Sequence, residues 1–148
     1  MTAQAVATRA LDRHRSAGLR AAAGDPTAEL RGPRLVSRGP TVEVASPYLA
    51  LLDDPAQVMR LAATRGVADQ LGLLLRHSDR ELHRRLRPDG LLERIIFDAL
   101  EQLRCEALAA NLPGLRSNLR AAFEAWCANA RAERVAESRT GLMVFTVI

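Results

Sequence analysis

Lysine is absent from this 148-residue chain: all 21 basic residues are arginine. Together with the abundant alanine, this is the mark of GC-rich codon usage, so the arginine count by itself is no sign of a ligand. Aromatic residues make up only 3% of the chain, which excludes a core of aromatic-rich strands and favours close-packed helices built from Leu, Ala, Val and Ile. There are two cysteines, Cys105 and Cys127, both in apolar helical surroundings, and they read as small buried hydrophobes rather than a disulfide or a ligand pair. No apolar run approaches the ~18 residues needed to cross a bilayer. The first residues alternate Ala with Thr, Gln and Arg and carry no signal-peptide core, so a cytoplasmic location is expected.

Several chemistries lack their motifs. No glycine-rich loop cradles phosphate, which excludes nucleotide hydrolysis by the P-loop route. No Asp-x-Ser-x-Ser stretch begins a metal-dependent adhesion site. No Cys/His pairs have zinc spacing, and no Ser/His/Asp set stands out from other side chains.

What is present is a length suited to one domain and a 48% hydrophobic fraction able to bury a core. The pattern predicts a mainly α protein, an antiparallel helical hairpin or bundle with a small N-terminal β-hairpin or meander. It divides into an N-terminal helix (1–26), a stretch of short strands and turns (27–52), and a helical domain (53–148).

Val6, Leu11 and Leu19 give the first helix, Thr2 to Ala23, a thin apolar stripe, and Gly24-Asp25-Pro26 stops it. His14 on this helix reads as solvated. Glu29-Leu30-Arg31, Arg34-Leu35-Val36-Ser37 and Thr41-Val42-Glu43-Val44 alternate at the strand period of two, with Gly32-Pro33 and Gly39-Pro40 as turns. Strands this short need a helical surface or a partner to lie on.

Asp53-Asp54-Pro55 has the form of a helix start, a carboxylate cap followed by proline. From there to Leu86 the pattern runs as one helix with a kink allowed near His77-Ser78. Ala68, Leu71, Leu75, Leu82 and Leu86 share an arc about 60–100° wide. Arg76, Arg80, Arg84 and Arg87 lie roughly opposite; they read as a solvated basic face, with docking to an acidic partner or nucleic acid as the sharper alternative.

Pro88-Asp89-Gly90 turns the chain into Gly90 to Ala110, an amphipathic helix on which the rest is expected to be organised. Leu92, Ile95, Ile96, Ala99, Leu100, Leu103 and Ala107 form its apolar face. Asp98, Glu101, Gln102, Arg104 and Glu106 fill the remaining faces; Glu101, Arg104 and Glu106 read as helix-surface ion pairing. Asn111 to Gly114 breaks this helix, and another runs from about Leu115 to Glu137, with Leu115, Leu119, Phe123, Trp126 and Ala130 on one face. The final run GLMVFTVI (141–148) is apolar; it reads as the start of a further helix in a longer polypeptide.

The cluster Arg76-His77-Ser78-Asp79-Arg80-Glu81-Leu82-His83 invites a metal reading. On a continuous helix, however, His77 and His83 project roughly 120° apart. His77 with Glu81 and Asp79 with His83 are the neighbouring pairs, better suited to hydrogen bonds than to holding an ion.

The segment from Phe97 to Leu108, FDALEQLRCEAL, resembles the "IFDA-EQ-R-EAL" helix of the CobT-type subunit of aerobic cobaltochelatase. Leu75-Arg76-His77-Ser78-Asp79, then Leu82-His83 and Pro88, resembles that family's "LRHHD…LH…P" segment in the same order and spacing. Ser78 departs from it, standing where many members carry a second histidine. The resemblance covers about residues 60–110.

It implies the N-terminal helical region of a subunit whose acidic linker and von Willebrand A-type domain are not in this sequence. It further implies a non-catalytic role: assembly with an AAA+ ATPase and a large corrin-binding subunit, in a complex that uses ATP and Mg to insert cobalt(II) into the corrin ring. This segment would bind no cofactor or metal itself. The candidate partner-binding residues are His77, Asp79, His83, Asp98, Glu101 and Arg104. A homo-oligomer stays open, and membrane association is not expected. The rival readings are an Arg-rich helical nucleic-acid binder using Arg76 to Arg87 and a small metalloenzyme on His77, Asp79 and His83.

Overall fold

The computed structural model describes residues 3–44, 46–52, 61–109 and 114–147. Helix α1, Ala3–Ala23, closes at Gly24, which adopts φ +65° and donates its N–H to the Arg20 carbonyl at 2.9 Å. Only glycine takes this left-handed cap without strain. Three strands follow, β1 Glu29–Arg31, β2 Arg34–Val36 and β3 Thr41–Val42. They form the expected antiparallel meander, with Leu30 opposite Leu35 and Leu35 opposite Val42.

These three apolar side chains are buried, and the sheet rests on α1, where Ser16 Oγ accepts the Leu30 N–H at 3.0 Å. Asp25 ties the corner together. Its carboxylate accepts from the Thr27 amide and hydroxyl and from the Ser37 hydroxyl at 2.7–2.8 Å. Those hydrogen bonds, Ser37 first, hold its carboxyl below the usual range.

A 3-10 turn, Pro47–Leu52, buries Tyr48, Leu51 and Leu52; the sequence pattern had not marked it. The Asp53-Asp54-Pro55 helix start lies outside the described residues. The helices that follow are α2 Leu61–His77, α3 Arg80–Leu86, α4 Leu91–Ala107, α5 Leu115–Ala132 and, after a short 3-10 turn, α6 Arg139–Val147.

The centre of the fold is α2, not the 90–110 helix on which the sequence pattern centred it. Helix α2 packs between α1 and α5, and everything from Val67 to Leu74 is buried, together with Ala63, Thr64 and Gly66. Small residues permit this. A Cβ at Gly66 would overlap the Asn118 carbonyl of α5. One at Gly72 would come within 2.6 Å of the Ala22 Cβ and 2.8 Å of the Leu19 carbonyl oxygen of α1. A helix with a single apolar stripe belongs at the rim of a bundle; one apolar and small all round belongs inside. Gly18 of α1 likewise admits Asp69, whose carboxylate accepts from Asn118 Nδ2 at 2.8 Å.

Two further expectations change. The 53–86 stretch is not one helix: it breaks at Ser78-Asp79, so Leu82 and Leu86, expected in the apolar arc, are 43% and 59% exposed. Helix α3 buries no residue at all. Helix α4 packs on a face rotated by about a quarter turn from its apolar stripe, at 100° per residue. Its buried residues are Asp98, Ala99, Gln102 and Cys105, while Leu100 is half exposed and Leu92, Ile96 and Leu103 are half-buried.

Leu115, Leu119 and Ala130 of α5 are buried as expected, with Phe123 and Trp126 packed against the core. The apolar run from 141 is helical: Phe145 of α6 stacks on Trp126 at 5.1 Å, while Leu142 and Met143 remain exposed. Both cysteines are free, Cys105 fully buried and Cys127 half-buried; burial pushes the Cys105 thiol up to about 11. His14 is exposed.

Candidate functional site

Five of the six candidate residues, and the carbonyl of the sixth, meet where α2 ends, α3 begins and α4 passes beneath. Asp79 ends one helix and starts the next. Its backbone is extended (φ −80°, ψ 96°) and its Oδ1 accepts the Leu82 N–H at 2.9 Å, a side-chain N-cap. The break leaves the last α2 carbonyls without helical partners. Arg104 of α4 donates to one of them, that of His77, at 2.8 Å.

The Arg104 guanidinium also grips Glu101 at 2.7 and 2.9 Å, and Ser78 Oγ donates to the same carboxylate at 2.6 Å. These contacts, Arg104 first, hold the Glu101 carboxyl down at about 2. Ser78, the departure from the family pattern, therefore bridges α2 to α4.

One turn earlier on α4, buried Asp98 receives two donors. His83 Nε2 lies 2.8 Å from its Oδ1, and Arg87 chelates both oxygens, its Nε at 3.2 Å. The His83 ring stacks on Phe97 at 4.5 Å. His83 thus turns to Asp98 across the helix pair and not to Asp79, its neighbour in sequence. With no buried apolar residue of its own, α3 is held by Asp98 and by the Phe97 ring.

Five of the six, His77 through its carbonyl, form a brace between helices, while Asp79 caps α3. The sequence put Asp98 and Glu101 on an open polar flank; the side chain of Asp98 is 10% exposed and that of Glu101 17%. The Arg76 to Arg87 stripe is divided by the break, with Arg84 paired to Glu81 and Arg87 to Asp98.

Beside the brace lies a cleft of about 1130 Å³. It is lined by Leu35 and Thr41–Val42 of the sheet with Glu43 and Val44 after it, by Leu49 and the end of α2 with Leu74 and Leu75, and by α3 with His83, Asp98 and Glu101.

A second polar group went unread in the sequence. Ser46 Oγ lies 3.0 Å from Gln70 Oε1 and 3.3 Å from Gln102 Oε1, and accepts the Tyr48 N–H. Gln102 Nε2 donates to Glu106 at 3.0 Å. Gln70 is fully buried, and its side-chain nitrogen has no acceptor among the described residues. Turning that amide over would let it donate to Ser46 and free the one serine proton for Gln102. Burial pushes the Glu106 carboxyl up to about 7 and, with Glu106 nearby, also raises the Tyr48 phenol. The signal was there: Gln70 sits amid the apolar run VADQLGLLL, where a glutamine must find partners.

Among the described residues, no three His, Cys, Asp or Glu side chains are grouped to hold a metal ion. No helix among them is long and apolar enough to cross a membrane.

The sequence model of one family, cobalamin biosynthesis protein CobT, matches residues 3–144. The chain belongs to the CobT family. The match spans α1, the sheet, the brace and most of α6, well beyond the 60–110 stretch that carried the resemblance. Membership involves the chain in cobalamin biosynthesis. No solved structure matches it.

Proposed function

We propose that this CobT-family chain is the N-terminal, non-catalytic part of a subunit of ATP-dependent aerobic cobaltochelatase. It assembles in the cytoplasm with an AAA+ ATPase and a large corrin-binding subunit. The complex uses ATP and Mg, and cobalt(II) is its substrate; this segment holds neither the nucleotide nor the corrin. The observation that carries this reading is the commitment of its acids and bases to one another. Asp98 is used by His83 and Arg87, and Glu101 by Ser78 and Arg104. Groups engaged in this way are poor donors and acceptors for a substrate and good struts for a surface.

The partner-facing surface is the one the brace shapes, with His77, Asp79, His83, Asp98, Glu101 and Arg104 setting its form. The test is capture of the AAA+ subunit by the tagged full chain with Mg-ATP present. Capture that Asp98→Ala or Glu101→Ala weakens beyond its effect on folding supports the reading. No capture by the wild-type chain overturns it.

A further inference from the structure

Helix α3 gives none of its apolar residues to the core. It buries nothing, and Leu82 and Leu86 are exposed. A helix this short does not form by itself; the bonds from His83 and Arg87 to Asp98 hold it over α4. Those bonds also fix the way it faces. His83 turns to α4, and the cleft is lined by Arg80, Glu81, His83, Arg84 and Arg87 but by neither leucine. Leu82 and Leu86, about 40° apart around the helix, therefore point to the side away from the cleft.

Helix α4 presents apolar residues on that same side. Phe97 carries the His83 ring at 4.5 Å, and Ile96 and Leu100 lie on the flank of Phe97 opposite to Asp98. The three span about 100° of the helix surface. Ile96 and Phe97 are half-buried and Leu100 is exposed. This is the part of the α4 stripe that the quarter-turn leaves outside.

Two helices joined by a short turn, with one apolar face open, are half of a four-helix bundle. Charge decides what completes it. Beside the turn at 87–90 stand Arg85 and Arg94 against Asp89 and Glu93, and among the described residues none of the four is in an ion pair. Arg104, further along α4, is engaged by Glu101. The charges balance, so the face selects neither an acidic nor a basic partner, and it complements itself. Arg85 and Glu93, both exposed, sit on different helices and close to the same turn. A two-fold axis along the helix pair keeps the two turns at one end and lays α3 of each copy over α4 of the other. Arg85 of one copy then faces the partner's Glu93, and Leu82 and Leu86 cover the apolar face of the opposite α4. Such a contact is isologous, with the same patch on both sides. We infer that a second copy of this chain docks on this face, the α3–α4 pair of one against that of the other, to close an intermolecular four-helix bundle.

Self-association goes beyond the assembly reading above and needs no ATPase. The test is the mass of the full chain by sedimentation equilibrium over a concentration series. The wild type is expected to rise from 16.1 kDa to twice that value. Leu82→Glu with Leu86→Glu is expected to weaken association at least tenfold. Leu100→Glu, on the other helix, is expected to do the same and carries the test should the α3 variant disturb its own helix. All three leucines are exposed in the single copy, so the thermal transition of the dilute, monomeric chain is expected to stay in place. Arg85→Glu or Glu93→Arg alone is expected to weaken association about threefold or more, since two symmetry-related pairs are lost. The two changes together are expected to restore it.

A wild type that stays at 16.1 kDa throughout overturns the inference. So does a dimer that the leucine variants leave intact, because the copies then meet elsewhere, and so does a charge swap that fails to restore association. Capture of the AAA+ subunit separates the two claims. If the wild type dimerises as described and captures no ATPase, the assembly reading falls and self-association stands. If it captures the ATPase and remains a monomer by itself, the reverse holds.

Discussion

His83 Nε2 and Asp98 Oδ1 lie 2.8 Å apart, fifteen positions apart in sequence and on different helices. Arg87 closes on the same carboxylate, so one buried acid secures a helix that buries nothing itself. Asp98→Ala should leave two donors unpaired and cost about 1–3 kcal/mol. That is below the ~3–5 kcal/mol of a fully buried pair, since the Arg87 side chain is 38% exposed. Urea unfolding measures the loss. Hydrogen exchange should show residues 80–86 opening while residues 67–74 stay protected.

Asp79→Ala removes the N-cap of that same helix. The expected cost is about 0.5–2 kcal/mol. Exchange should speed up at the Leu82 amide, which the carboxylate accepts at 2.9 Å, and the Arg87 end should stay docked on Asp98.

Gly66→Ala and Gly72→Ala should each destabilise by about 1–3 kcal/mol through overpacking. In an exposed helix the same change would stabilise by roughly 0.5–1 kcal/mol. The sign is therefore diagnostic of α2 lying between α1 and α5, and urea titration reads it directly.

Glu101 and Glu106, both on α4, give opposite pH dependences. Glu101, lowered to about 2 from 4.5, contributes stability that is present above pH 4.5 and lost as pH falls toward 2. Glu106, raised to about 7 from 4.5, contributes stability that is full below pH 4.5 and lost as pH rises through 7. Glu106→Gln should flatten the decline between pH 5 and 8, on the order of 2–3 kcal/mol in the wild type. Denaturant midpoints across that range are the measurement.

Phe145→Ala should uncover the ring of Trp126, on which Phe145 stacks at 5.1 Å. The single tryptophan should shift its emission to longer wavelength, and stability should fall by about 1 kcal/mol from the lost ring pair.

The meander, the cap at Gly24, the α5 face and the turn at Pro88 were legible because each depends on residues close in the chain. Alternation, a glycine at positive φ and a 3.6-residue period are local signals. The break after His77 was half legible: Ser78 interrupts the apolar arc, and Asp79 is a good cap. The bond from Ser78 to Glu101 was not legible, because its two ends lie 23 positions apart and meet only in the folded chain.

Residue pattern alone determined that the chain is helical, carries a small antiparallel sheet and resembles CobT, because periodicity and local order survive without tertiary contacts. Only the packed molecule decided which helix lies at the centre and which face of α4 turns inward. An apolar stripe reports that a helix has something to bury, but depth depends on how closely neighbours approach, and here Gly66 and Gly72 set that approach. Likewise Asp98 and Gln102 read as surface residues until their donors, His83, Arg87 and Ser46, arrive from other elements. A buried polar group is tolerated once its partners are supplied, and those partners are distant in the chain.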